Sequence, residues 1–455
     1  MTFPEKFVWG VATAAYQIEG APYRAGGGAT VWDMFCRRPQ VVHDQENGDV
    51  ACDHYHRYRE DVALMKDLGT QAYRFSISWP RVLPEGTGQV HIAGLDFYDR
   101  LVDELLGANV VPYVTLFHWD FPYELYCRGG WLNRDSADWF ADYARIVTER
   151  LSDRVQHWMT INEPQCIIEL GHHTGRHAPG DKLNLDEVLR AGHHLLLAHG
   201  KAVQAIRAHA VRAPLVGYAP VGSVRVPASE DPRDIAAART SMFTSKATDL
   251  WMNTWWMDPV FLGHYPEDGL RQFGSAAPAV RSGDMETIRQ PLDFFGCNIY
   301  NGQTVRAGDD DQPVPVGHEM GLGRTSPGWP VTPKCLYWGP RFFYERYGKP
   351  IFVTENGLGN NDWVALDGKV HDPQRIDFLG RYLREFARAG RDGVEIGGYF
   401  QWSLMDNFEW QEGYKIRFGL VYVDYQTQKR IPKDSAYWYR DVMRSNGASL
   451  YETQP

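Results

Sequence analysis

Short apolar runs alternate with longer stretches of helical periodicity along most of this chain. Val110-Val111-Pro112-Tyr113-Val114-Thr115-Leu116-Phe117 is near-continuously apolar, as a strand buried on both faces should be, and Pro350-Ile351-Phe352-Val353-Thr354 is another such run. Between the runs, Tyr55, Tyr58, Val62 and Met65 recur at spacings of three and four, as do Leu95, Tyr98, Leu101 and Leu105. Both patterns stop near a glycine, Gly69 and Gly107, the residue type that closes a helix in a left-handed turn. Strand candidates lie near Phe7–Ala14, Ala72–Ser78, Val111–Phe117, Gln156–Asn162, Leu215–Ala219, Asp293–Tyr300, Ile351–Glu355 and Glu395–Ser403, each followed by a helical pattern.

Strand-helix alternation implies a parallel sheet with right-handed crossovers, and eight such units imply a closed (β/α)8 TIM barrel of the α/β class. The long gaps at 21–53 and 220–292 read as enlarged βα loops over the C-terminal face. No Pro/Gly/Ser-rich linker divides the chain, so residues 1–455 are expected to form one domain. The runner-up, an open doubly wound sheet, would carry a Gly-rich phosphate turn after its first strand, which is missing here.

Composition narrows the partners. With 47 Lys+Arg against 57 Asp+Glu the net charge is -10, and no basic cluster occurs, so no nucleic-acid partner is expected. No run of about 18 apolar residues suggests a membrane span. Met1–Lys6 lacks a basic segment leading into an apolar one, so a cytoplasmic location is expected. The six cysteines form no C-x-x-C pair and read as reduced, mostly buried thiols. His172-His173 and His193-His194 are adjacent and not three or four apart, so no metal is expected. Gly26-Gly27-Gly28 lacks the Lys-Ser/Thr of a phosphate cradle, so no cofactor is expected. The run Asp309-Asp310-Asp311 reads as a solvated loop.

In a barrel of this kind reactive side chains sit at the C-terminal strand ends. Two of those ends carry a carboxylate on an apolar strand, Glu163 and Glu355, where burial is costly unless neighbours accommodate it. Singly, each is readily an ion-paired Glu at a loop start. Together, on opposed strands, they could share one mouth, and a retaining glycosidase needs two carboxyls about 5–5.5 Å apart. Spacing in the sequence does not give that distance.

The ordered set Phe7-Val8-Trp9-Gly10, Gln17-Ile18-Glu19-Gly20, Tyr73–Arg81, Phe117–Asp120, Thr160–Pro164, Thr354–Gly357 and Trp402–Trp410 resembles glycoside hydrolase family 1, the β-glucosidase family. The matches run from residue 3 to about 440. The resemblance implies Glu163 (in Asn162-Glu163-Pro164) as general acid/base and Glu355 (in Thr354-Glu355-Asn356-Gly357) as nucleophile. It implies Arg74, Tyr300 and Asn298 beside them. It assigns Gln17, His118, Asn162 and Glu409 to the sugar hydroxyls, and Trp402 and Trp410 to the sugar face. Trp119 and Phe418 join the binding set, and Trp329 resembles an aglycone platform. Amides, carboxylates and imidazoles suit the hydroxyl edge of a sugar, and indoles suit its C–H face.

The implied activity is double-displacement hydrolysis of small β-glycosides, glucosides first, with galactosides, fucosides and transglycosylation open. Two departures stand out. The strand-six motif is Asn298-Ile299-Tyr300 where Asn-Tyr-Tyr is usual; Tyr300 is expected to keep its role and Ile299 to pack. The segment Glu169–Thr174 lacks an aromatic common near His172, which is expected to alter the aglycone rim. A 6-phospho-β-glucosidase is the nearest alternative, disfavoured because a Glu409 carboxylate would repel a phosphate dianion. A silent sugar-binding homologue is disfavoured because both carboxylates are present, a thioglucosidase because Glu163 is not Gln, and an aldolase or isomerase barrel because no Schiff-base Lys or phosphate site is found.

Overall fold

The computed structural model describes residues 2–21, 23, 26–245 and 250–452; parts of the expected loops 21–53 and 220–292 lie outside the described residues. Eight parallel strands close a barrel: β1 (Val8–Ala12), β2 (Ala72–Ser76), β3 (Val111–Phe117), β4 (His157–Asn162), β5 (Leu215–Ala219), β6 (Phe294–Asn298), β7 (Ile351–Asn356) and β8 (Ile396–Trp402). Each strand pairs with its sequence neighbours, and β1 closes on β8 with Val8 opposite Gly398. β3 and β5 have the bounds read from the sequence, and the others differ by a residue or two at an end.

Aromatic side chains plug the lower half of the barrel. Tyr113, Phe294 and Phe400 belong to the core inside it, and partly buried Phe352 packs against them. Tyr113 lies 4.9 Å from Phe400, and Phe294 lies 5.0 Å from Phe352, between ring centroids. Glycines make room for them. A Cβ on Gly397 would lie 2.1 Å from Phe352, and one on Gly217 would lie 2.2 Å from Phe294. A filled floor forces any ligand site to the C-terminal mouth.

The amphipathic helices form the outer layer. His54–Asp67 is followed by Gly69 at φ 69°, as the pattern predicts. Ile92–Gly107 ends differently: Gly107 is its last helical residue, and the left-handed turn falls on Asn109 at φ 61°. Asn tolerates that region through its short polar side chain.

The long loops hold structure that periodicity did not reveal. The 220–292 segment contains helices Pro232–Phe243, Asn253–Phe261, Glu267–Phe273 and Asp284–Ile288. Its strand Val224–Pro227 pairs with Gly302–Ala307, which also pairs with Pro313–Pro315. A hairpin, Val421–Asp424 with Lys429–Pro432, lies after β8. Buried Lys433 bonds Asp362 at 2.5 Å and Asp406 at 2.7 Å, joining the loops that follow β7 and β8. Arg417 bonds Asp406 from the other side at 2.8 Å. All six cysteines are free thiols; five are buried and Cys127 is exposed. Among the described residues no helix is long and apolar enough to cross a membrane.

Candidate active site

Glu163 follows the end of β4, and Glu355 is the penultimate residue of β7. Both strands break register just before their carboxylate. The β4–β5 pairing shifts between Met159 and Asn162, and the β7–β6 pairing shifts between Val353 and Glu355. An inserted residue of this kind re-aims a side chain. The backbone of Glu163 is also left-handed, at φ 47°, as is that of Trp119, at φ 82°. Such conformations cost about 1–3 kcal/mol each and persist only where surroundings impose them. Here the Glu163 N–H donates to Ala219 O at 2.9 Å, and Trp119 Nε1–H donates to Asn162 O at 3.0 Å.

The two carboxyls belong to one hydrogen-bonded group. Arg74, fully buried on β2, donates from Nη1 to Glu355 Oε1 at 2.6 Å and from Nη2 to Asn162 Oδ1 at 2.6 Å. The Tyr300 hydroxyl donates to Glu355 Oε2 at 2.8 Å. Asn298 Nδ2 donates to Asn162 Oδ1 at 2.9 Å and to Glu163 Oε1 at 2.8 Å. The Cys166 thiol donates to Glu163 Oε2 at 3.0 Å. Thr354 Oγ1 donates to Asn298 Oδ1 at 2.7 Å.

Burial, reinforced by the Glu355 charge, pushes Glu163 up to about 7. Burial raises Glu355 as well, but the Arg74 charge and its hydrogen bond, with the Tyr300 hydrogen bond, oppose the rise. Glu355 alone touches a fixed cation, so Glu355 ionises first and Glu163 keeps the proton. Tyr300 stays a phenol because burial, then the Glu355 charge, hold it well above its ordinary value.

A cavity of about 630 Å³ opens above this pair, within the usual size of a small-ligand pocket. His118, Trp119, Glu163, Asn298, Tyr300, Trp329, Glu355, Trp402, Glu409, Trp410 and Phe418 all line it. Three expected residues, Gln17, Asn162 and Arg74, sit behind that lining, fully buried. Gln17 Nε2 donates to Phe408 O at 2.8 Å and Asn407 Oδ1 at 3.0 Å, and its Oε1 has no partner among the described residues. His118 stacks between Trp402 and Trp410, with ring centroids 5.7 Å and 6.0 Å away. Burial and Arg74 hold its imidazole well below the usual value, so it is neutral. Trp329 packs on Tyr300 at 5.2 Å and on Phe418 at 6.1 Å.

Two expectations change. Glu409 is pushed up to about 8, first by burial and then by Glu355 and Glu163. Its charge is therefore a weaker barrier to a phosphate at neutral pH than the sequence suggested. Of the cations that follow β8, Lys415 is engaged by Glu412 and Arg417 by Asp406. His172 does not line the cavity; it is buried and bonded to Asp181 at 2.9 Å, while Leu170 of the same segment, and Cys166 before it, face the opening. Ile299 packs fully buried in the core, as expected. The other adjacent histidines are engaged too: His173 with Glu169, His193 with Asp284 and Tyr265, His194 with Trp131 O.

Two participants escaped the sequence reading. In the sequence Cys166 is indistinguishable from the other buried thiols, although it follows Glu163 by three residues. Thr354 lies inside a quoted motif, but its bond to Asn298 depends on the β7 register shift.

A family description, glycosyl hydrolase family 1, matches residues 1–448. The chain is 46% identical over 447 residues to the 1,4-beta-D-glucan glucohydrolase of Thermotoga neapolitana, covering 98% of this chain and 99% of that one. It is 46% identical to Beta-glucosidase A of Thermotoga maritima over 98% of both chains. The solved structure of a beta-glucosidase from Thermotoga maritima in complex with glucoimidazole superposes with a TM-score of 0.90 at 44% identity, covering 98% of this chain and 99% of that one.

Proposed function

The chain belongs to glycosyl hydrolase family 1, and from that premise we propose that it is a retaining β-glucosidase in which Glu355 is the nucleophile and Glu163 the general acid/base. The observation that carries the assignment is the unequal setting of the two carboxyls. Glu355 is bound by Arg74 and Tyr300, and Glu163 by Asn298 and Cys166.

The steps follow from that inequality. Ionised Glu355 attacks the anomeric carbon while protonated Glu163 gives its proton to the departing glycosidic oxygen. The resulting glycosyl ester is hydrolysed by a water that Glu163, now a carboxylate, deprotonates. Two inversions leave the configuration unchanged. Arg74 balances the charge of Glu355 before attack and again as the ester is cleaved, and Tyr300 supplies a donor to the ester oxygen.

The sugar fits between polar and aromatic groups of the cavity. Glu409 and His118 offer hydrogen bonds to hydroxyls, and Gln17 and Asn162 hold these groups from behind. Trp402 and Trp410 offer apolar faces, and Trp329 with Phe418 lines the way out for the aglycone. The substrate class is a small β-glucoside or short oligosaccharide. The covalent ester also permits transfer to a sugar acceptor.

Hydrolysis of 4-nitrophenyl β-D-glucoside followed by proton NMR tests the reading. β-Glucose is expected as the first product. First-formed α-glucose would overturn the double displacement, and faster cleavage of the 6-phosphorylated glucoside would favour the phospho-glycosidase alternative.

A further inference from the structure

The amide groups around Glu163 fix more than its position. Arg74 Nη2 can only donate, so the atom it meets on Asn162 at 2.6 Å is the carbonyl oxygen. The Asn298 atom 2.9 Å from that oxygen must then be the amide nitrogen. The same nitrogen meets Glu163 Oε1 at 2.8 Å. Thr354 Oγ1–H satisfies the opposite end of the Asn298 amide. Oε1 therefore faces a permanent donor, and a protonated oxygen is the poorer acceptor.

Oε2 faces a different kind of partner. Cys166 Sγ lies 3.0 Å away, buried, on the cavity wall. A thiol can donate to a charged oxygen and can accept, weakly, from a hydroxyl. An amide N–H can do only the first. Burial and the Glu163 charge hold the thiol well above its ordinary value, so it stays S–H.

We propose that Cys166 is a positioning residue that keeps the two oxygens of Glu163 unequal, so that the proton of the acid step is carried on Oε2, beside the thiol. The inference rests on the acid/base reading of Glu163. In the first step the proton passes from Oε2 to the glycosidic oxygen. The bond from the anomeric carbon to that oxygen breaks, its electron pair staying on the oxygen, as a Glu355 oxygen bonds the anomeric carbon. Oε2 is left charged, and the thiol turns to donate to it. In the second step Oε2 takes a proton from water, the water oxygen bonds the anomeric carbon, and the ester pair returns to Glu355. The thiol follows the proton through both steps without taking it.

The titratable and charged groups that face Glu163 are Glu355 from β7, Arg74 from β2, Tyr300 after β6, Glu409 after β8, and Cys166 itself, with the Asn298 amide on Oε1. Only Cys166 offers a bond that reverses direction.

The test compares C166A and C166S in the full-length enzyme. Measured are kcat/KM against pH for cellobiose and for 2,4-dinitrophenyl β-D-glucoside, with thermal melting as a check of folding. In C166A the carboxylate loses a donor, so the basic limb of the cellobiose profile should move up by roughly half to one pH unit. Its optimum kcat/KM for cellobiose should fall by about three- to tenfold, and for the dinitrophenyl glucoside, whose leaving group needs no proton, by less than about twofold. C166S, which restores a two-way hydroxyl, should keep the wild-type limb. An unmoved limb in C166A, or equal losses on both substrates in both variants, would overturn the proposal. Wild-type enzyme inactive on both substrates would instead remove the acid/base reading on which it stands.

Discussion

Arg74 Nη1 lies 2.6 Å from Glu355 Oε1, the guanidinium fully buried and the carboxylate at the floor of the cavity. The ion pair holds down a carboxyl that burial alone would push upward. Replacing Arg74 by Met removes the cation and raises the carboxyl. The proposed mechanism requires Glu355 ionised, so the acid limb of kcat/KM should move to higher pH, by about 1–3 units for loss of an adjacent opposite charge. A pH profile on 4-nitrophenyl β-D-glucoside measures it. An acid limb unchanged in R74M would mean that Arg74 is only a structural partner.

Removing each carboxyl in turn separates their roles by stereochemistry. E355G should lose at least about a thousandfold in kcat. Azide should restore turnover from the vacated face and yield an α-glucosyl azide. E163A should cleave dinitrophenyl glucosides far better than cellobiose, because about 10²–10⁴ of the rate on poor leaving groups comes from the acid. Azide should then give a β-glucosyl azide. Product NMR decides, and the same azide anomer from both variants would refute the assignment.

Glu409 makes the empty site less stable at higher pH. Its folded value of about 8 lies above that of an unfolded Glu, near 4.3. Between the two the native state holds the extra proton, so stability falls as pH rises through that window and is fully kept below it. E409Q removes the penalty. It should raise Tm by a few degrees near pH 9 and leave it unchanged near pH 4, while weakening sugar binding. Calorimetry at both values measures the difference, and a gain equal at both would point to packing instead.

The barrel was legible because its signal is local. Runs such as Val111–Phe117 are near-continuously apolar, since helices cover one face of each strand and the barrel interior covers the other. Alternation with helical periodicity then counts the units. Strand ends also locate the mouth, which singles out Glu163 and Glu355, while the lining tryptophans were legible only through the family resemblance. The small sheet of Val224–Pro227 with Gly302–Ala307 was invisible for the opposite reason. Its strands are short, and their partners lie some 78 residues apart. Similarly, nothing local marks Asn109 and not Gly107 as the left-handed residue.

By itself, then, the sequence determined the strand count, the order of the motifs and the residue types gathered at the mouth. Only the tertiary structure decided which carboxyl keeps its proton. That depends on Arg74 reaching across 281 positions to Glu355, on register shifts in β4 and β7, and on amides that orient one another from Arg74 to Glu163. Such effects fall off over a few ångströms of space and take no account of distance along the chain, so spacing in the sequence cannot encode them.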